Sequence, residues 1–251
     1  MKNTPHPRNE ISRRRFLKLL LTSAAFSPGL IALARGLNEL RGDRVGWARL
    51  KTPSQFWKRH AGSDPVLMQF FRQQTTLNID PTWYEADVEQ LPEMCKFPLL
   101  FSQGVELVQS AAGYENVAEH IRRGGFLLID ACCNPKISGD FDVFLRQQID
   151  FLAVALPEAQ VTSLPPEHDI YGCHFQIPNG RPPHTFYENV YDPQKAGHGL
   201  YGIMIKRRMA GLISLSGLQC GWDKMTAPPG HDVACMKMLV NIYIYAMMQG
   251  G

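Results

Sequence analysis

The sequence predicts an α/β protein built on a doubly wound, mostly parallel sheet. Apolar strand patterns alternate with helical ones along the chain. The stretch "FLLID" (126–130) has four apolar residues in a row, as a central strand covered on both faces requires. A long loop insertion precedes a closing hairpin and C-terminal helix, and the length suits one core.

The N-terminus is read first as a leader. Ser12-Arg13-Arg14-Arg15-Phe16-Leu17-Lys18 resembles the twin-arginine export signal, and an apolar run follows from Leu19 to Leu33. Ala32-Leu33-Ala34 supplies small residues for cleavage after Ala34, which predicts an exported, periplasmic protein that is soluble when mature, with a single domain over 35–251. The leader holds six of the 26 Lys/Arg and one of the 23 acids, so the mature chain falls near −2 instead of +3. No mature basic stripe interleaves with aromatics, which argues against nucleic acid as a partner.

The elements then follow in order. Val45 to Leu50 reads as a strand, followed by a loop with Pro53 and Trp57. Asp64-Pro65 reads as an N-cap with proline at the first helical position, opening a helix to about Gln74 with Leu67, Phe70 and Phe71 on one face. Strands are predicted at "LNI" from Leu77 and "FPLLF" from Phe97, with a short helix over Glu85 to Leu91 between them. Tyr114 to Arg123 is a helix stopped by Gly124-Gly125, "FLLID" is the next strand, and Asp140 to Ala155 is another helix. Pro157 to Gly199 breaks the rhythm as the long insertion, with short strands at Val161 to Leu164 and Tyr171 to Ile177. "YGIMIKRRMAGLISLSG" reads as a hairpin, and His231 to Met248 as an apolar helix packed on the sheet.

Several stretches together carry a family resemblance over nearly all of the mature chain: "WARLK" with Trp57 downstream, "FPLLFSQG", "RRGGFLLIDACC" followed by "DFDVFLRQQ", "LPPEHDIY" and "ISLSGLQCGWD". They resemble the family known as domain of unknown function 4159. Asn134-Pro135 stands where many relatives have glycine or serine. The resemblance implies a class I glutamine-amidotransferase-like, or flavodoxin-like, architecture with distant similarity to the trehalose-utilisation ThuA-like proteins. It implies no activity, because one fold hosts many, and it brings no catalytic group to carry over.

In open α/β sheets ligands bind outside the carboxyl ends of the strands. The predicted strand ends collect Asp80 and Trp83, Gln103 and Gly104, Asp130 with Cys132 and Cys133, then Cys220, Trp222 and Asp223. Trp83, Gln103, Gly104, Cys220 and Trp222 make the predicted binding rim; Asp130, Cys132, Cys133, Asp223 and His168 are the candidates for catalysis. A cysteine nucleophile needs a base or cationic neighbour, here supplied through tertiary contact by His168, His174 or His231. The amidotransferase pattern Gly-x-Cys-x-Gly is absent. Adjacent cysteines bridge each other only with strain, so Cys132 or Cys133 to Cys220 is the more natural disulfide; buried free thiols are the plainer reading. His231 and Cys235 share a helix face, but no spacing places a full ligand set, so no metal and no cofactor is predicted. Asp130 with Asp223 would suit a glycoside, and Trp83 or Trp222 a sugar ring; Asp at a strand end more often binds loop amides.

The leading expectation is a domain that binds a small molecule or protein partner at this rim without catalysis. A hydrolase of sugar or amide substrates is the alternative, and a thiol-redox or structural-disulfide role the third.

Overall fold

The run VGWARLK folds as the first strand, β1 (Val45–Lys51), with Trp47 packed into one apolar cluster and Ala48 and Leu50 into another. The computed structural model describes residues 42–134, 140–185, 199–223 and 229–249. The expected leader and its cleavage site lie outside the described residues, as do Pro135 and residues 186–198 of the insertion. After β1 come α1 (Asp64–Gln74), β2 (Ile79–Asp87), α2 (Leu91–Met94), β3 (Leu99–Ser102), α3 (Ala111–Arg122), β4 (Phe126–Asp130) and α4 (Phe141–Ala155). The chain continues through β5 (Gln160–Ser163), β6 (Leu200–Ile205), β7 (Arg208–Ser214), α5 (Leu218–Trp222) and α6 (His231–Gln249).

The strands form one sheet in the order β2-β1-β3-β4-β7-β6-β5. The five from β2 to β7 are parallel, and β6 runs antiparallel to both β7 and β5. Successive side chains of a strand alternate between faces, and the two faces bury separate cores. Trp47, Phe101, Phe126, Leu128 and Leu212 pack with Leu67 and Phe71 of α1 and with α6. Leu50, Leu100, Leu127, Ile129 and Ile213 pack with Val117 and Ile121 of α3 and with Phe144, Phe151 and Leu152 of α4. Every residue of β4 is buried, as its unbroken apolar run predicts. The helix-ending Gly124 adopts φ +97°, a conformation glycine takes without strain.

Three local expectations are corrected. Residues 85–87 continue β2 instead of opening a helix: they pair in parallel with β1, and Lys51 reaches Glu85 at 3.9 Å and Asp87 at 3.6 Å. Pro81 is tolerated because β2 is the sheet edge. Tyr171–Ile177 is not a strand. Asp169–Tyr171 makes a 3-10 turn, and the amides beyond it are satisfied locally, with Phe175 N–H donating to Asn241 Oδ1 of α6 at 2.8 Å. Asp64 does not cap α1; Ser63 occupies that position, and the Asp64 carboxylate turns inward to Arg49. Among the described residues no helix is long and apolar enough to cross a membrane. The apolar α6 instead buries Met238, Leu239, Ile242 and Tyr243 against the sheet.

Candidate functional site

Because β1, β3, β4 and β7 are parallel, the segments leaving their carboxyl ends gather on one rim. The segment after β1 carries His60, the one after β3 carries Gln103, the one after β4 carries Cys132 and Cys133, and the one after β7 becomes α5, which carries Gln219 and Cys220 and ends at Asp223. Cys132, Cys133 and Cys220 pack together as a cluster distinct from both apolar cores.

His60 Nδ1 and Asp223 Oδ2 are 2.5 Å apart, bridging the β1 and β7 segments across 163 residues. The carboxylate accepts from Nδ1–H, which leaves Nε2 as the basic nitrogen. Nε2 is buried without a hydrogen-bond partner, and the Cys132 thiol lies near enough to act on the charge of the imidazole. That contact, followed by Asp223, holds the His60 pKa above its ordinary value against the opposing effect of burial. The Cys132 Sγ lies 3.7 Å from Cys220 Sγ. The neighbouring Cys133 and Cys220 thiols, and with them His60, lower the Cys132 pKa strongly, despite burial. The cost falls on its neighbours: interaction with Cys132 pushes Cys133 up to about 12 and Cys220 higher still. Of the three thiols, Cys132 is therefore the one disposed to carry negative charge.

The His60 segment is held from below. Arg49, fully buried on β1, forms a bidentate pair with Asp64, Nε to Oδ2 at 2.6 Å and Nη2 to Oδ1 at 2.5 Å. Its Nη1 donates to the carbonyls of Trp57 at 3.1 Å and Arg59 at 3.0 Å. The Arg59 carbonyl also accepts from Gln219 Nε2 at 2.7 Å, and Gln219 Oε1 accepts from Gln103 Nε2. Between these anchors His60 adopts φ 58°, ψ 15°, an uncommon left-handed conformation for a residue with a side chain. Gly217, at φ +62°, starts α5 beside Cys133, whose Cβ would lie 3.0 Å from any Cβ added there.

Asp130 organises the other half. Its Oδ2 accepts from Gln219 N–H at 2.9 Å, with Leu218 N–H and the Ser214 hydroxyl close by. This carboxyl thus seats α5 by binding its first amides. Complete burial, only partly offset by those bonds, raises its pKa to about 7, and Oδ1 is buried without a partner. Since the folded-state pKa is the higher one, native protein binds the extra proton between about pH 4 and 7, and stability falls as pH rises through that window. The shift is worth about 4 kcal/mol to an order of magnitude. Asp130→Asn keeps an acceptor for Gln219 N–H and is expected to lose most of this slope, as urea unfolding at pH 5 and pH 8 would measure.

The remaining residues divide. Cys132, Cys133, Cys220, Asp130, Asp223 and Gln103 meet at the rim, with Gly104 beside Gln103, its N–H donating to Ser102 Oγ at 3.1 Å. Trp222 stands there as packing: it is 1 % exposed, with its ring 5.7 Å from Phe101 and 6.1 Å from Trp47, and so anchors α5 in the core. Trp83 lies within β2, opposite Trp47, and not at a strand end. Asp80 is at the amino end of β2, bonded to Arg44 at 3.1 Å and Thr82 N–H at 2.9 Å. His168 stacks near Tyr245, 5.4 Å between centroids, and accepts from Ile170 N–H at 3.2 Å. Tyr245 is ten residues along α6 from Cys235, about 15 Å of helix, and it is Cys235 that packs beside Gly221 of α5. His174 bonds the Gln74 carbonyl at 2.9 Å, and His231 bonds Thr185 at 2.8 Å. None of these three histidines is the partner of Cys132. The histidine that is, His60, carries no motif in the sequence; its one signal is a place in the segment leaving the first parallel strand.

Among the described residues no three His, Cys, Asp or Glu side chains are arranged to hold a metal ion, and His231 with Cys235 gains no third ligand. A cavity of about 370 Å³ lies between Gln176–Pro183 and the start of α6, lined by Arg181, Val233 and Lys237 among others. It contains none of the rim residues.

The sequence from Trp47 to Met247 matches the model of one protein family, from the start of the sheet to the end of α6. The chain belongs to the DUF4159 family, a domain of unknown function. The match spans both halves of the rim, from β1 through α5, so the residues described above lie within the DUF4159 domain. No curated protein matches the chain.

Proposed function

We propose that this DUF4159 protein is a cysteine-dependent enzyme of acyl transfer or hydrolysis acting on an amide or ester carbonyl. Cys132 would be the nucleophile, His60 its base and Asp223 the group that orients the imidazole. The observation that carries this reading is the 2.5 Å His60–Asp223 bond beside the Cys132 thiol. A thiol, a base and an orienting acid drawn from three separate strand ends make the arrangement that activates sulfur for attack on carbonyl carbon. A carbonyl substrate is favoured over a glycoside because both carboxylates of the rim are engaged. Asp130 binds the amides of α5 and Asp223 binds His60. A ligand-binding role alone would not call for a basic imidazole beside a thiol of lowered pKa.

The strand order β2-β1-β3-β4-β7 within the sheet supports a flavodoxin-like reading, and with it similarity to class I glutamine-amidotransferase-like proteins. The Arg13-Arg14 leader supports export to the periplasm.

The test is a panel of activated esters and amides offered to the full chain, with acyl adducts read by mass spectrometry. An adduct on Cys132 is expected, with turnover reduced at least about 1,000-fold in Cys132→Ala. Turnover that persists in Cys132→Ala, or a wild-type chain that acylates nowhere in the panel, would remove the reading.

A further inference from the structure

The neighbour Cys220 forms no bond to substrate in acyl transfer, yet its Sγ lies 3.7 Å from that of Cys132. A disulfide closes at about 2.05 Å, so the sulfurs need approach by only about 1.7 Å. Cys220 is fully buried, and the Cys133 N–H donates to its Sγ at 3.5 Å, which holds it toward the cluster. Cys132 is 4 % exposed, which excludes a protein disulfide as the oxidant, since thiol exchange needs an accessible sulfur, and leaves a small-molecule oxidant. We propose that the chain reduces hydroperoxides, with Cys132 as the sulfur that attacks the peroxide and Cys220 as the thiol that resolves the product into a Cys132–Cys220 disulfide.

The chemistry balances without a cofactor. The Cys132 thiolate attacks the terminal peroxide oxygen; an S–O bond forms, the O–O bond breaks, and the departing alkoxide takes a proton from the His60 imidazolium. Cys132 is then a sulfenic acid. Cys220 sulfur attacks it, the S–S bond forms, and the S–O bond breaks with loss of water, which carries away the Cys220 proton. One hydroperoxide becomes an alcohol and water while two thiols become one disulfide; a small dithiol would return them. The strained ring of a Cys132–Cys133 bridge makes Cys133 the poorer resolving partner. The inference shares the activated Cys132 with the acyl-transfer reading but rests on the position of Cys220, and it stands if no carbonyl substrate is found.

The experiment treats the reduced full chain with one equivalent of cumene hydroperoxide, counts remaining thiols, and maps the oxidised peptides. The wild-type chain is expected to lose two thiols and to yield a Cys132–Cys220 cross-link, with fragment masses telling Cys132 from Cys133 in their shared peptide. In Cys220→Ser, Cys132 should stop at sulfenic acid and be trapped by dimedone. Two results would overturn the proposal: wild-type thiols that survive peroxide, or a cross-link from Cys132 to a cysteine other than Cys220. Because the cross-link is read in the wild-type chain, the proposal is decided even if Cys220→Ser does not fold.

Discussion

Arg49→Ala is expected to destabilise the fold by about 3–5 kcal/mol, as expected for breaking a buried ion pair by removing one partner. Arg49 and Asp64 are both fully buried. Deleting the guanidinium leaves the Asp64 carboxylate without its bidentate partner, and burial already pulls that carboxyl above its ordinary pKa. It also frees the carbonyls of Trp57 and Arg59, which are two anchors of the His60 segment. Urea unfolding measures the loss. A companion Arg49→Met, Asp64→Leu variant removes both charges at once and should recover much of the stability. It should not recover function, because the Trp57 carbonyl loses its donor, the Arg59 carbonyl keeps only Gln219, and His60 loses its placement. A change below about 1 kcal/mol in Arg49→Ala would mean that the pair contributes little.

His60→Ala should lower the rate of Cys132 acylation by about 100- to 10,000-fold, the range a positioned general base supplies. Asp223→Asn should have the smaller effect of the two, since the imidazole stays and loses its orientation and charge support. The pH dependence has a definite sign. His60 has a raised pKa in the fold, so the stability it contributes is fully present below its ordinary value near 6.5. That contribution is lost as pH rises through the raised value. Cys132 is shifted the other way, so its contribution is present above the ordinary thiol value and is lost as pH falls through the lowered one.

The sheet was legible because its signals are local. Unbroken apolar runs at 97–101 and 126–130, a glycine pair after α3 and a basic two-residue turn after β6 each specify an element within a few residues. Errors arose where tertiary partners override local pattern. The acids of 85–89 read as a helix start, but Glu85 to Asp87 pair in register with Arg49 to Lys51 of β1 and stay extended. Asp64 reads as a cap, but Ser63 takes that position and Arg49 claims the Asp64 carboxylate. The site was half legible for the same reason. Cysteines and acids at strand ends follow from topology, whereas His60 is fixed by contacts 163 and 72 residues away, to Asp223 and Cys132. His168, one of three histidines offered as a base through tertiary contact, instead packs against Tyr245.

The central claim is that Cys132 is held as a thiolate by its neighbours and by the His60–Asp223 pair. The direct measurement is the ultraviolet thiolate absorbance of the wild-type chain minus that of Cys132→Ser, followed from about pH 4 to 10. This readout requires no reagent to reach the buried sulfur. The account predicts a thiolate signal already present at pH 6, which weakens at that pH in His60→Ala. A wild-type signal that appears only near the ordinary thiol value of about 8.5 or above it, and that ignores the His60 substitution, would contradict it.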